Sequence, residues 1–213
     1  MGVTAALTQV VLLREMLVAF YGNELCVGLV LANWFAGVGA GALAARLAAA
    51  RRAGPIGLPL LLAGALLLPA VLLPGQIYGI RTLRLLLGVG AGELVSAQRM
   101  LLGSLLYLPA GSAAVGLFFP LACGALAETA ASRPTRRSGV FAIGQIYTAE
   151  ALGSMLGGAA LTYALLPRCS PFRLAALAAA VAAWSAGGLM RARAARRGWR
   201  AAALLALLAV GLW

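Results

Sequence analysis

Residues 24–45 read ELCVGLVLANWFAGVGAGALAA, and no charged residue occurs between Glu24 and Arg46. As a helix, a stretch of this length reaches about 33 Å, which is enough to cross a hydrocarbon core of about 30 Å. Comparable apolar runs recur along the chain. The pattern therefore predicts an all-α fold, a polytopic transmembrane helical bundle.

The composition supports a lipid environment. Of the 213 residues, 63% are hydrophobic and 10% are charged, and the mean hydropathy is +0.97. Ordinary soluble domains carry roughly 25% charged residues. We expect one transmembrane helical domain over residues 1–213, in contact with the lipid bilayer as a multi-pass protein of the bacterial inner (cytoplasmic) membrane.

The apolar runs place six full spans and an incomplete seventh. Their approximate ranges are 3–21, 24–45, 56–73, 100–127, 140–166 and 172–190, with the incomplete span at 201–213. Residues after 200 reach only about 20 Å as a helix. We therefore expect either a helix tilted into a partner or, preferably, a truncated chain.

Two further local features follow from the sequence. The connection at 74–99 is long and mixed, and its 81–98 section is expected to lie along the membrane interface as a helix. The fourth span contains Pro109 and Pro120, which predict a kinked or broken helix.

The distribution of arginine predicts the orientation. Eleven of the 17 basic residues lie in the second, fourth and sixth loops, whereas the odd-numbered loops hold five. Cytoplasmic loops are enriched in Lys and Arg. The even-numbered loops and the N-terminus are therefore expected in the cytoplasm, and the net charge of +12 is interpreted as a topology signal, with no nucleic acid as partner.

Missing residue types exclude several chemistries. The chain has no His, no Lys and no Asp, so imidazole-ligated haem, histidine zinc sites, Ser–His catalysis and lysine Schiff bases are excluded. We expect no metal and no cofactor. Buried thiols are favoured for Cys26, Cys123 and Cys169, although a bridge between Cys26 and Cys169 stays open.

Polar residues at membrane depth are the candidates for function, because they are costly there unless paired. The first span carries Arg14 and Glu15, which lie about 100° apart on a helix and do not face each other. The second span carries Asn33. Each of these side chains is expected to need a partner on another helix or in a wet cavity.

The fifth span carries the densest set of such residues, Gln145, Tyr147, Glu150 and Ser154. Tyr147, Glu150 and Ser154 share one helix face. One interpretation is a cation or proton site built on Glu150. The alternative, which the residues favour slightly, is a structural ion pair between Arg14 and Glu150.

Small residues four apart mark close helix contacts in lipid. The predicted packing positions on the second and fifth spans are Gly37, Gly41, Gly153, Gly157 and Gly158.

Several stretches together resemble one known family. They are LLREML at 12–17, YGNE at 21–24, the Gly/Ala-rich run 33–46, FFPLA at 118–122 and YTAEALGSMLGG at 147–158. Over most of residues 8–166 the chain resembles the membrane domain of the spermidine synthase-like integral membrane proteins. The resemblance implies a helical region similar to half of a major facilitator transporter, placed before a cytoplasmic aminopropyltransferase-like domain.

The resemblance does not extend to the catalytic domain. That domain needs a glycine-rich loop and several Asp residues, whereas this chain has no Asp and no soluble region. We therefore expect no aminopropyl transfer by this chain, and an aminopropyltransferase-like domain or other membrane subunits as partners.

Three functional hypotheses remain open on the sequence. The first is transport or channelling of a small solute, such as a polyamine-like cation held by Glu150 and Glu15. The second is a structural module that anchors a partner enzyme or complex at the membrane. The third, a membrane enzyme that acts through Glu and Tyr alone, has no motif in its support.

Overall fold

The computed structural model describes residues 1–22, 24–50, 57–90, 93–131 and 138–192, and the regular structure in these ranges is entirely helical. A π-helical turn, Leu161–Leu165, continues the fifth helix. The helices are α1 (Gly2–Ala19), α2 (Glu24–Ala50), α3 (Gly57–Leu86), α4 (Ala97–Ala131), α5 (Ser138–Ala160) and α6 (Pro171–Ala192).

Five of these helices, α1 to α4 and α6, are long and apolar enough to cross a membrane. Helix α5 is not among them, since residues such as Gln145 and Glu150 lower its hydropathy. The architecture is therefore that of a multi-pass membrane protein. The arginine-rich segments 51–56, 132–137 and 193–200 and the predicted seventh span lie outside the described residues, so orientation stays a prediction.

The bounds of helix α3 differ most from the sequence prediction. It was expected to end near residue 73, but it continues through Pro69 and Pro74 to Leu86. The expected interfacial helix over 81–98 is wrong, because Arg81 and Arg84 belong to the last turns of α3. Proline is tolerated inside membrane helices where neighbouring helices and local adjustments satisfy the freed backbone groups.

Helix α4 is also longer than expected. It begins at Ala97 and is assigned as one continuous helix through Pro109 and Pro120 to Ala131. The predicted break is therefore absent from this part of the chain.

A tight turn joins α1 to α2, as expected. Tyr21 and Gly22 have φ angles of 58° and 71°, and the Gly22 backbone amide donates to the Leu17 carbonyl over 2.8 Å. A positive φ is uncommon for a residue other than glycine. The guanidinium of Arg84 lies 4.1 Å from the centre of the Tyr21 ring, and this cation–π contact holds the turn against the end of α3.

Helix α3 contacts α1, α4 and α6, and α1 contacts each of the other five α-helices. Helix α2 packs along α4, and α5 packs against α1 and α4. The main apolar core draws side chains from α1 to α4 and α6, including Leu12, Trp34, Leu73, Leu108 and Ala178. This arrangement leaves α5 covered on one side only.

The α2–α4 contact is a direct approach of two backbones. A Cβ atom at Gly41 would lie 1.9 Å from the Ala113 carbonyl oxygen, and one at Gly116 would lie 1.9 Å from the Val38 carbonyl oxygen. Since no side chain fits in such a space, both positions require glycine. Small residues allow this closeness, which drives helix association in lipid.

Candidate functional site

The two glutamates that the sequence singles out, Glu15 and Glu150, have different partners. Glu15 is 6% exposed, and its carboxylate receives hydrogen bonds from Arg81 Nε over 2.7 Å and Nη2 over 3.3 Å. The Arg81 guanidinium also lies 5.2 Å from the ring centre of Phe172, the second residue of α6. Glu15, Arg81 and Phe172 therefore join α1, α3 and α6 at one end of the bundle.

The predicted ion pair between Arg14 and Glu150 does not form. Arg14 is exposed and has no ion pair within the described ranges. Glu150 contacts the opposite end of α1, at Met1 and Gly2. The twelve helical steps between Gly2 and Arg14 separate the two positions by about 18 Å along the axis.

Glu150 instead lies against the beginning of α1. Its Oε2 atom is 4.0 Å from the Met1 amine nitrogen, and a Cβ atom at Gly2 would lie 2.9 Å from the same oxygen. The first amides of a helix have no partner within the helix, and they attract negative charge. Glu150 therefore lies where its negative charge stabilises the beginning of α1.

The glycines at this contact explain how α1 and α5 come so close. A Cβ atom at Gly2 would lie 2.3 Å from the Glu150 carbonyl oxygen, and one at Gly157 would lie 3.0 Å from the Val3 Cα. A Cβ at Gly153 would meet Val3 at an ordinary 3.5 Å. Gly158 has open space where its Cβ would be, so it takes no part in this contact.

A cavity of about 580 Å³ lies next to this contact, between α3, α4, α5, α6 and Met1, the residue before α1. Its lining is mostly apolar and includes Leu62, Phe118, Ala122 and Ile146, with Ser185 among the polar residues. Ile146 lies one helical turn before Glu150 on the same face of α5, and Met1 belongs to the lining. Glu150 itself is not a lining residue, but its carboxylate lies 4.0 Å from the amine of Met1, which is one.

A second cavity, of about 510 Å³, lies between α2, α3 and α4. It is lined by alanine, glycine and leucine residues such as Ala44, Leu68 and Ala110. None of its lining residues carries a charged or polar side chain, so it offers no group that could select a polar ligand.

The other polar residues of α5 do not converge on Glu150. Tyr147 is 67% exposed, and Gln145 and Ser154 are also exposed. Gln145 lies in a shallow groove on the outer face of α5, together with Gly144 and Thr148. Its amide has no hydrogen-bond partner in the described structure, whereas the Thr148 hydroxyl donates to the Gly144 carbonyl.

Asn33 has a structural role between α2 and α4. Its Nδ2 atom donates to the Ser104 hydroxyl oxygen over 2.5 Å, and Leu101 O lies 3.5 Å away. Gly37 lies further along α2, where a Cβ would collide with the Ser112 hydroxyl. The side chain of Asn33 therefore links α2 to α4 and takes no part in the contact between Glu150 and α1.

Sequence reasoning missed two polar residues of α3. Gln76 is buried, and its Nε2 atom donates to the Tyr107 carbonyl oxygen of α4. Arg84 donates to the carbonyl oxygens of Ala19 and Gly90. Both lie in the segment that was expected to be a loop, and a helical assignment over 74–86 would have placed them on α3.

Neither a metal site nor a disulfide is formed by the described residues. No group of three or more His, Cys, Asp or Glu side chains comes together there, and Cys26, Cys123 and Cys169 are free. Cys26 is buried, and the other two thiols are partly buried.

No protein-family model, no curated protein and no solved structure matches this chain.

Proposed function

We propose that the chain is the membrane module of a spermidine synthase-like protein, and that it binds a small solute within the bilayer in order to transport or channel it. The cavity of about 580 Å³ beside Glu150 carries this proposal. Ligand cavities typically measure about 300 to 1,000 Å³ and combine an apolar lining with a few polar groups.

Among the residues of this site, Glu150 has the side chain best suited to bind a cation. Its side chain is 21% exposed, and the Met1 amine at 4.0 Å is too distant for a hydrogen bond. An ionised carboxylate has about four lone-pair positions for acceptance. With its charged partner, the Met1 amine, 4.0 Å away, the carboxylate keeps acceptor positions for a cation.

Glu15 is not part of the proposed site. It lies about 20 Å from the Glu150 end of α1, and Arg81 already neutralises it. A solute held by both carboxylates together is therefore not supported by the geometry.

The outer face of α5 favours a second candidate function, the anchoring of a partner enzyme or complex. The exposed Gln145 amide has no partner in the described structure. A polar side chain that faces lipid is costly, and polar groups and small residues often mediate contacts between membrane helices. A partner helix that covers Gly144, Gln145 and Thr148 would relieve this cost.

Binding and stability measurements on Glu150→Gln distinguish the two functions. We would measure equilibrium binding of a panel of labelled organic cations to the purified chain, with a thermal melt of each variant and Glu93→Gln as a charge-matched control. Glu93 is exposed at the other end of the bundle. Saturable binding that is lost in a normally melting Glu150→Gln supports solute binding. Absence of binding, with a lowered melting temperature in Glu150→Gln, supports anchoring.

A further inference from the structure

The end of the bundle at which α1 ends and α6 begins carries more arginine than glutamate. The described arginines at this end are Arg14, Arg81, Arg84, Arg99, Arg168 and Arg173. The described glutamates at the same end are Glu15, Glu24 and Glu93. Six positive and three negative side chains leave an excess of three positive charges among the described residues.

Half of these arginines have partners within the protein. Arg81 and Arg99 form ion pairs, and Arg84 donates to backbone carbonyl oxygens. The other three form no ion pair with a described residue, and they are Arg14, Arg168 and Arg173. We call these three side chains the arginine patch.

The members of the arginine patch are neighbours in the fold. Glu15 and Phe172 contact the same arginine side chain of α3. Arg14 directly precedes Glu15, and Arg173 directly follows Phe172. Arg168 lies in the connection to α6, five residues before Arg173. All three arginines are exposed, so they present their charges to the surroundings of the bundle at one junction, that of α1 and α6.

The arginine patch lies at the level expected for a membrane surface. Arg14 is five residues before the end of α1, which is about 8 Å along the helix axis. Arginine side chains near helix ends extend towards the headgroup region and keep their charge there. Tyr163, which is 81% exposed, lies five residues before Arg168, and tyrosine is enriched at membrane–water interfaces. The patch is therefore placed among lipid headgroups.

Membrane topology does not account for this excess of arginine. The arginine distribution in the sequence predicts this end outside the cytoplasm, where Lys and Arg are normally sparse. Glu24, at the beginning of α2, forms no ion pair with a described arginine. A negatively charged partner from outside the chain would account for the patch.

We propose that the arginine patch binds the phosphate headgroup of an anionic phospholipid. Arginine presents paired N–H donors that match phosphate oxygens, and anionic lipids attract basic side chains at the membrane surface. The acyl chains lie beside Leu177, an exposed apolar residue one turn after Arg173 on α6. The backbone amide of Arg173 already has the Ser170 hydroxyl oxygen at 3.4 Å, so the site consists of side chains. This lipid site is independent of solute binding near Glu150.

The test measures lipid binding to the purified full chain in detergent by native mass spectrometry. The probes are phosphatidylglycerol and phosphatidylcholine with the same acyl chains, and inorganic phosphate serves as a soluble competitor. Arg14→Gln, Arg168→Gln and Arg173→Gln each remove one charge of the patch. Arg99→Gln is the matched control, because it removes an exposed arginine from the same end of the bundle. A thermal melt verifies the fold of each variant, and a variant that does not melt normally leaves two other positions to decide.

We expect phosphatidylglycerol to bind more tightly than phosphatidylcholine. Each substitution in the patch should weaken the binding of phosphatidylglycerol about fivefold, since each removes one basic side chain from the membrane surface. Arg99→Gln should bind like the wild type. Inorganic phosphate should not displace the lipid, because it has no acyl chains to bury.

Three outcomes would overturn the inference. Equal affinity for the two lipids would mean that the negative charge is not recognised. An equal loss of affinity in Arg99→Gln and in the patch variants would indicate a general effect of charge and no site at the junction of α1 and α6. Displacement of phosphatidylglycerol by inorganic phosphate would assign the patch to a free phosphate ion. None of these outcomes bears on the proposed solute function, which Glu150→Gln tests separately.

Discussion

Removal of either partner of the Glu15–Arg81 pair is expected to have unequal effects on stability. Glu15 is 6% exposed, whereas Arg81 is 48% exposed. Arg81→Met leaves a buried carboxylate without a cation, while Glu15→Gln leaves a guanidinium that reaches the surface. The loss of Arg81 should therefore cost more than the loss of Glu15.

The magnitudes follow from the geometry of the pair. Breaking a buried pair typically costs about 3–5 kcal/mol, and the exposure of Arg81 places Arg81→Met at about 3 kcal/mol, the lower end of that range. Glu15→Gln retains a carbonyl oxygen that can accept from Arg81, so we expect a cost of about 1 kcal/mol. At about 2–4 °C per kcal/mol for chains of this size, the melting temperatures should fall by roughly 6–12 °C and 2–4 °C.

Cys26 provides a direct assay, because its thiol is buried in α2 and becomes reactive when the bundle opens. Labelling by a thiol-specific fluorophore during a temperature ramp gives the melting temperature of each variant in detergent. The double variant, with Glu15→Gln and Arg81→Met, should melt at a higher temperature than Arg81→Met alone, since it contains no buried charge at this pair. Equal decreases in melting temperature for the two single variants, or a larger decrease for Glu15→Gln, would refute this reasoning.

Five further substitutions, which test three contacts, have expected outcomes in the same melt. Gly41→Ala should lower the free energy of unfolding by about 3 kcal/mol or more, because its Cβ would lie 1.9 Å from a backbone oxygen. Gly39→Ala has open space around it, so it should leave that free energy unchanged or raise it by up to about 1 kcal/mol. On α5, Gly157→Ala should melt below its neighbour Gly158→Ala, since only the former meets the backbone of α1; the reverse order would contradict the described α1–α5 contact. Asn33→Leu should cost about 1–2 kcal/mol through the lost amide contact to α4, and an unchanged melt would remove its structural role.

The apolar runs predict α1 and α2 well, because each of these helices is one long apolar stretch of the sequence. The same reasoning fails at α3, which was expected to end near residue 73 but continues past Pro74, Gln76 and Arg81. Each of these residues is accommodated by tertiary structure: Gln76 bonds α4, and Arg81 bonds α1. A hydropathy pattern contains no information about a partner that is distant in sequence.

That error also led to the incorrect ion pair. Because the prediction placed Arg81 in a loop, it gave Glu15 no partner within the membrane. Arg14 was then the arginine that the prediction placed inside a span. Pairing Arg14 with Glu150 was then the simplest way to neutralise two charges. Gly153 and Gly157 were predicted as packing positions without a partner helix, and the structure shows that both face α1.

The two carboxylates differ in a way that bears on function. Glu15 accepts two hydrogen bonds from Arg81, so a solute cation would have to displace a side chain that also contacts Phe172 of α6. Glu150 has a looser positive partner, the Met1 amine at 4.0 Å, and its side chain is 21% exposed. A cation that approached Glu150 would therefore compete with this weaker contact and not with a hydrogen-bonded ion pair. For this reason a solute site is expected near Glu150 and not at the more deeply buried Glu15.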